Sequence, residues 1–185
     1  MAARWIGRFH AANEARLSST PLPFLNTYDS AYYQGWARRT SLFAGPVQQR
    51  FPWLTTLCER SQVAISLLLA PPVTIIHGEY YPKNVLYRAG IIYPVDWESA
   101  AIAAGEIDLA CLTDRWPAET VRECESAYQQ ARWPDGAPAA FAQRLAAARL
   151  YMHFRWLGDR PEWTTHQQYW RFKYLRAVGE QLGLI

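Results

Sequence analysis

Lysine is almost absent from this 185-residue sequence: Lys83 and Lys173 are the only two, so nearly all the positive charge is arginine. The net charge of +3 is too small to imply nucleic acid or a membrane surface as a partner, and neither is expected. Cysteine is scarce too. Cys58, Cys111 and Cys124 lie far apart with no CxxC spacing, which argues against a zinc site or a disulfide framework and suits a reducing compartment. Long apolar runs are missing: the longest uncharged stretch, residues 61–76, is broken by Pro71-Pro72 and is too short to span a membrane. The opening residues MAARWIGRFHAANEAR hold Arg4 and Arg8 and lead into no apolar signal-peptide core, so a cytoplasmic location is expected. No two glycines lie two residues apart, which excludes a G-x-G-x-x-G phosphate loop.

What is present reads as one folded domain over residues 1–185. Half of the residues are hydrophobic, enough for a real core, and the 15% aromatic share includes nine tryptophans suited to flat, apolar-lined pockets. Trp5, Ile6, Phe9 and Ala12 recur at helical spacing, so residues 2–16 predict an amphipathic helix. A loop is expected over 18–26, and helices over 28–43 and 52–70, the latter stopped by Pro71-Pro72. The middle of the chain changes character. Residues 73–76 predict a short buried strand, and the runs 84–87 and 91–97, joined through Gly90, predict a hairpin. Helices are expected again over 117–132, 138–157 and 162–182. The fold class is therefore α+β, predominantly helical, with a small β-element at its centre.

That centre is dense in polar groups: His77-Gly78-Glu79-Tyr80-Tyr81-Pro82-Lys83-Asn84, then Asp96 twelve residues after Asn84, and Asp108 twelve further on. A loop between a buried strand and a hairpin carries a carboxylate, Glu79, and a carboxamide, Asn84. The second hairpin strand is expected to return another carboxylate, Asp96, to nearly the same place. Two carboxylates and an amide oxygen form a hard-oxygen set of the kind magnesium prefers, usually with substrate phosphate completing its shell. A carboxylate left off the metal can accept the proton of a hydroxyl nucleophile.

This stretch resembles the catalytic region of the aminoglycoside phosphotransferase/choline kinase family, which has a protein-kinase-like fold. The family's loop runs His-Gly-Asp-x-x-x-x-Asn, followed by an Asp-Trp or Asp-Phe pair on the next strand. The resemblance implies Glu79 as catalytic base, Asn84 and Asp96 as Mg2+ ligands, His77 as a structural histidine, and Asp108 as the buried aspartate that props the loop. It also implies ATP as phosphoryl donor and a small-molecule hydroxyl as acceptor. Two departures accompany it. Glu79 stands where the family usually has Asp and reaches one methylene further, and a shift of about 1 Å can cost on the order of 10²-fold in a positioned reaction. The 76 residues before His77 read as helices, not as the β-rich N-terminal lobe that covers ATP. The resemblance is thus to the C-terminal lobe alone, with the N-lobe missing or supplied by a partner or second copy. A non-catalytic binding or scaffold protein derived from such a lobe is the alternative.

Other side chains allow two readings each. Lys83 is either a phosphate contact, and so a cofactor-binding residue, or a solvated lysine. Glu98, two past Asp96, either adds a carboxylate on the same strand face or sits in solvent. Tyr80-Tyr81 either line a cleft or pack beneath the loop. The six arginines from Arg144 to Arg176 either bind an anionic ligand or form the solvated faces of two helices, and the second is the expectation. Their local basic excess makes a polycationic aminoglycoside a poor acceptor.

Overall fold

A computed structural model describes residues 1–17 and 22–185, so the first part of the loop expected over 18–26 lies outside the described residues. The described chain divides into two compact units, residues 1–28 with 71–141 and residues 29–70 with 142–185.

The first unit opens with α1 (Ala2–Leu17). Its buried stripe is Ala3, Ile6, Gly7 and His10, while Trp5 and Phe9 are only half-buried at its flank. The buried face is thus centred one side of the stripe predicted from Trp5, Ile6, Phe9 and Ala12. The reason is close packing: a Cβ at Gly7 would come within 2.8 Å of the Tyr128 carbonyl on α6 (Ala118–Arg132). The smallest side chains, not the largest, face that neighbour.

A three-stranded sheet follows in the order β1 (Asn26–Thr27), β5 (Ala101–Ala103), β2 (Thr74–Ile76), with β1 parallel and β2 antiparallel to β5. β2 falls within the predicted strand. β1 and β5 were not foreseen, because runs of two or three residues give no usable alternation. Separate from this sheet stands the hairpin β3 (Val85–Arg88) and β4 (Ile91–Pro94), with Arg88 paired to Ile91. Its two-residue turn has positive φ at both Ala89 (50°) and Gly90 (82°), a conformation whose twist suits the flanking strands. The short α5 (Glu106–Leu112), buried at every position, completes the elements that surround the loop.

The second unit consists of α2 (Ser30–Phe43), α3 (Trp53–Arg60), α4 (Gln62–Leu69), α7 (Phe141–Leu157, from residue 142 on) and α8 (Arg171–Gln181). Asp29 caps α2 by accepting the Tyr32 N–H at 2.7 Å. The helix expected over 52–70 is two helices, interrupted at Ser61, whose hydroxyl bonds back to the Cys58 carbonyl at 2.7 Å. The last predicted helix is likewise interrupted: it starts at 161–162, Trp163–Gln167 form a π-turn, and regular helix resumes at Arg171. Two of the six arginines here depart from the solvated reading, while Arg160 and Arg176 are exposed as expected. Arg144 and Arg171 are buried, and the Arg171 guanidinium lies 4.6 Å from the Trp156 ring and 4.4 Å from the Trp170 ring. Delocalised, weakly hydrated guanidinium tolerates such a setting where an ammonium would not.

Candidate active site

The loop from His77 to Asn84 leaves β2 and enters β3 through a 3₁₀ turn at Pro82–Asn84. Its first residues are held from beneath by Asp108. The two carboxylate oxygens accept the His77 N–H at 2.7 Å and the Gly78 N–H at 2.9 Å, and Asp108 is fully buried. Gly78 adopts φ +83°, and any Cβ there would run into the Ser99 carbonyl, so the backbone can approach this closely only without a side chain.

His77 is buried and its hydrogen bonds define its tautomer. Nε2 faces the Val95 carbonyl at 2.9 Å, which can only accept; Nδ1 faces the Glu79 N–H at 3.3 Å, which can only donate. The ring is therefore the Nε2–H form, a structural link between the loop and the segment after β4. The Trp97 ring lies 4.6 Å from it, with its own N–H donated to the Pro94 carbonyl at 3.1 Å.

Asn84 ties the two ends of the loop together. Its Nδ2 donates to the Glu79 carbonyl at 3.0 Å, and its backbone carbonyl accepts the Val95 N–H at 2.9 Å. Val95 is thus bonded on one side to Asn84 and on the other to His77, and Asp96 follows it at once. The backbones that carry Glu79, Asn84 and Asp96 meet here. Asp96 is not in a strand, since β4 ends at Pro94; it sits at φ +67°, a conformation that aspartate tolerates better than most residues, and it is exposed. The strand expected over 91–97 is therefore shorter, and alternation does not carry to Glu98, which lies exposed in a turn. Lys83 is exposed, Glu79 half-buried, and Tyr80 and Tyr81 are both buried, with the Tyr80 ring 5.7 Å from His77 and 6.2 Å from Trp5 on α1. The Tyr80 hydroxyl donates to the Ala2 carbonyl at 3.2 Å, and burial raises its pKa.

Several residues near the loop escaped the sequence reading. His10 Nε2 lies 3.1 Å from Asp108 Oδ2, and its Nδ1 lies 2.9 Å from the Tyr128 hydroxyl. Arg132 Nη1 donates to that hydroxyl at 2.6 Å, and Arg132 Nη2 donates to Glu14 Oε2 at 3.0 Å. Burial lowers the His10 pKa despite the hydrogen bond to Asp108, and burial raises that of Tyr128. The available signal was a histidine on the same helical stripe as Ala3 and Ile6, where an apolar residue is the ordinary choice.

Among the described residues no group of three His, Cys, Asp or Glu side chains could cage a metal ion. The donor set nonetheless fits magnesium, which takes one or two protein oxygens and completes its shell with water and phosphate. Asn84 and Asp96 offer oxygen ligands on backbones joined by the Val95 bonds.

The chain belongs to a phosphotransferase enzyme family, whose model matches residues 1–143. It is similar in structure to a choline/ethanolamine kinase family protein from Mesorhizobium loti, with a TM-score of 0.67 at 15% identity over 99% of this chain and 64% of that one. A choline kinase from Cryptosporidium parvum Iowa II gives 0.63 at 14%, covering 99% and 66%. A spectinomycin phosphotransferase solved with ADP and spectinomycin gives 0.54 at 13%, covering 99% and 65%. No match is found among curated proteins. At these identities the likeness is one of fold: α+β, mostly helical and protein-kinase-like. The chain spans 64% of the length of the Mesorhizobium protein. No described helix is long and apolar enough to cross a membrane.

Proposed function

We propose that this chain carries the catalytic loop of an ATP- and Mg2+-dependent phosphotransferase acting on a small-molecule hydroxyl. The observation that supports it most is the stapling of the 77–84 loop: Asp108 holds its start and Asn84 joins its end to the segment that carries Asp96. Preorganised groups of this kind lower a barrier because their geometry needs no adjustment during reaction. Asn84 and Asp96 would hold the metal. Bound together, Mg2+ and ATP would supply a phosphoryl group with its charge neutralised.

The remaining work falls on side chains of this chain. Glu79, half-buried with its backbone fixed at both N–H and carbonyl, accepts the proton of the acceptor hydroxyl. His77 holds the loop against Val95 and takes no part in proton transfer, since both ring nitrogens are engaged. Lys83, exposed at the 3₁₀ turn, is free in position to meet a phosphate. A nucleotide-covering lobe or partner chain would complete the enzyme. The single-domain, cytoplasmic reading belongs to the same proposal.

Calorimetric titration with Mg-ATP tests this, on the chain alone and with candidate covering partners. Binding that disappears in Asp96→Ala and persists in Glu79→Gln, with turnover lost in both, is the expected result. No nucleotide binding under any pairing would remove the proposal.

A second reading, a scaffold derived from a kinase lobe, draws on the hairpin. Leu86, Tyr87, Ile91 and Tyr93 are all exposed, an apolar surface that favours association. A strictly monomeric chain by light scattering that captures no partner counts against it.

A further inference from the structure

The contacts behind Asp108 form a chain of hydrogen bonds with a direction. Arg132 carries only donors, so the Tyr128 oxygen accepts from Nη1 at 2.6 Å. The Tyr128 proton is then left to point at His10 Nδ1, 2.9 Å away. With Nδ1 accepting, the neutral imidazole carries its proton on Nε2, which faces Asp108 Oδ2 at 3.1 Å. The carboxylate, acceptor at every contact, ends the chain by receiving the N–H groups of His77 and Gly78. Every bond has one donor and one acceptor, and no member can reverse without leaving its neighbour unmatched.

Two further features show that this arrangement is built. All four side chains, Asp108, His10, Tyr128 and Arg132, are buried. The polar atoms also close around a residue without a side chain. A Cβ at Gly105 would fall 2.6 Å from Arg132 Nη1, 2.7 Å from His10 Nδ1 and 2.9 Å from the Tyr128 hydroxyl. Arg132 is itself anchored by carboxylates, at 3.0 Å from Glu14 and 3.5 Å from Glu106.

We infer that Tyr128 and Arg132, on a helix that contributes nothing to the loop, are positioning residues: through the His10 tautomer they fix the orientation of the Asp108 carboxylate, with Oδ2 shared by His10 and the His77 N–H and Oδ1 turned to the Gly78 N–H, and so where Glu79 stands. The consequence for catalysis rests on the phosphotransferase reading; the hydrogen-bond relay does not. A buried carboxylate with only two backbone donors could rock between them. The third donor, fixed in direction from α6, removes that freedom.

The test is solution NMR of the full chain, which needs neither nucleotide nor turnover. In the unsubstituted protein the nitrogen shifts of His10 should report a protonated Nε2 and an accepting Nδ1. In Tyr128→Phe the ring stays and the hydroxyl goes. The His77 and Gly78 amide protons should then move upfield and exchange about tenfold faster, while amides of α4 stay within twofold, as a lost hydrogen bond of ordinary strength implies. Arg132→Lys, which keeps a donor and a charge, should restore most of the signature that Arg132→Met loses. A His10 ring protonated on Nδ1 in the unsubstituted protein overturns the inference, and this measurement stands even if no variant folds. Loop amides that keep their shifts in Tyr128→Phe, or a uniform rise in exchange through both units, overturn it as well. Absence of Mg-ATP binding with the NMR signature intact would count against the function alone.

Discussion

His10 and His153 are both buried, at 0% and 4% exposure, and both lie near an arginine, yet their surroundings differ in sign. His10 sits between a tyrosine hydroxyl and a carboxylate, and the hydrogen bonds of its ring lie in a chain that ends on the backbone of the 77–84 loop. His153 faces a cation. Arg171 Nη1 lies 3.2 Å from His153 Nδ1, so the ring can only accept there, and Tyr174 stacks at 6.0 Å. Burial, then Arg171 and Arg149, push the His153 pKa down to about 3. The positive charge of Arg171 is met by the ring faces of Trp156 and Trp170. One histidine therefore transmits orientation to a loop, while the other fills a core. Neither residue type nor burial distinguishes them; the neighbours' donors and acceptors do.

The sharpest way to break this contrast is to remove its acidic end. Asp108→Ala leaves the His77 N–H, the Gly78 N–H and the His10 Nε2–H without their acceptor, all in a site closed to water. At about 1–3 kcal/mol for each buried donor left unmatched, part of it relieved by relaxation, urea unfolding should show a loss of about 4 kcal/mol. A loss below about 1 kcal/mol would mean that water or another acceptor reaches the loop and that Asp108 is no brace.

Acidification sharpens it next. Both histidines have lowered pKa values in the fold, so the unfolded chain binds the extra protons once the pH drops below about 6.5. Their contribution is fully present above that pH and is lost as pH falls toward the folded values. For His153 alone, a drop from 6.5 to about 3 predicts a loss of about 2 kcal/mol on going from pH 7.5 to pH 5. Denaturant midpoints across that range measure it. His153→Gln, which keeps an acceptor for Arg171, should flatten the slope by that amount; an unchanged slope would show that His153 is already protonated in the fold or that it is not buried.

How much of this was legible beforehand follows from range along the chain. That the segments carrying Glu79, Asn84 and Asp96 meet was readable because their spacing around a hairpin signal is local, and Gly90 marked the turn. Ser61 was not readable as a break, since one hydroxyl bonding back three residues leaves the apolar pattern intact on both sides. β1 and β5 are defined by pairing with distant segments, β1 with β5 across 75 positions (Asn26 with Ala101) and β5 also with β2, and carry almost no pattern of their own. His10 illustrates the limit best. Its partners Asp108 and Tyr128 lie 98 and 118 residues away, so its place on a helical stripe was visible but the reason for it was not. The arginine-rich end failed differently: composition counts charge but cannot show that Trp156 and Trp170 bracket Arg171.

That bracket supplies the smallest of the expected effects. Arg171→Lys keeps the charge but replaces a planar group with a point charge that is more strongly hydrated. It loses the contacts to both indoles, at 4.6 Å and 4.4 Å, and the Nε bond to Gln168 at 3.0 Å. A cost of about 1–2 kcal/mol in urea unfolding is expected for a desolvated cation–π site of this kind. The internal control is Arg176→Lys on the same helix. Arg176 pairs with Glu180 at 2.8 Å, but both side chains are more than half exposed, so the change should stay within about 0.5 kcal/mol. Equal effects at the two positions would mean that the indole faces contribute nothing, and that the charge near His153 is balanced by solvent and not by the core.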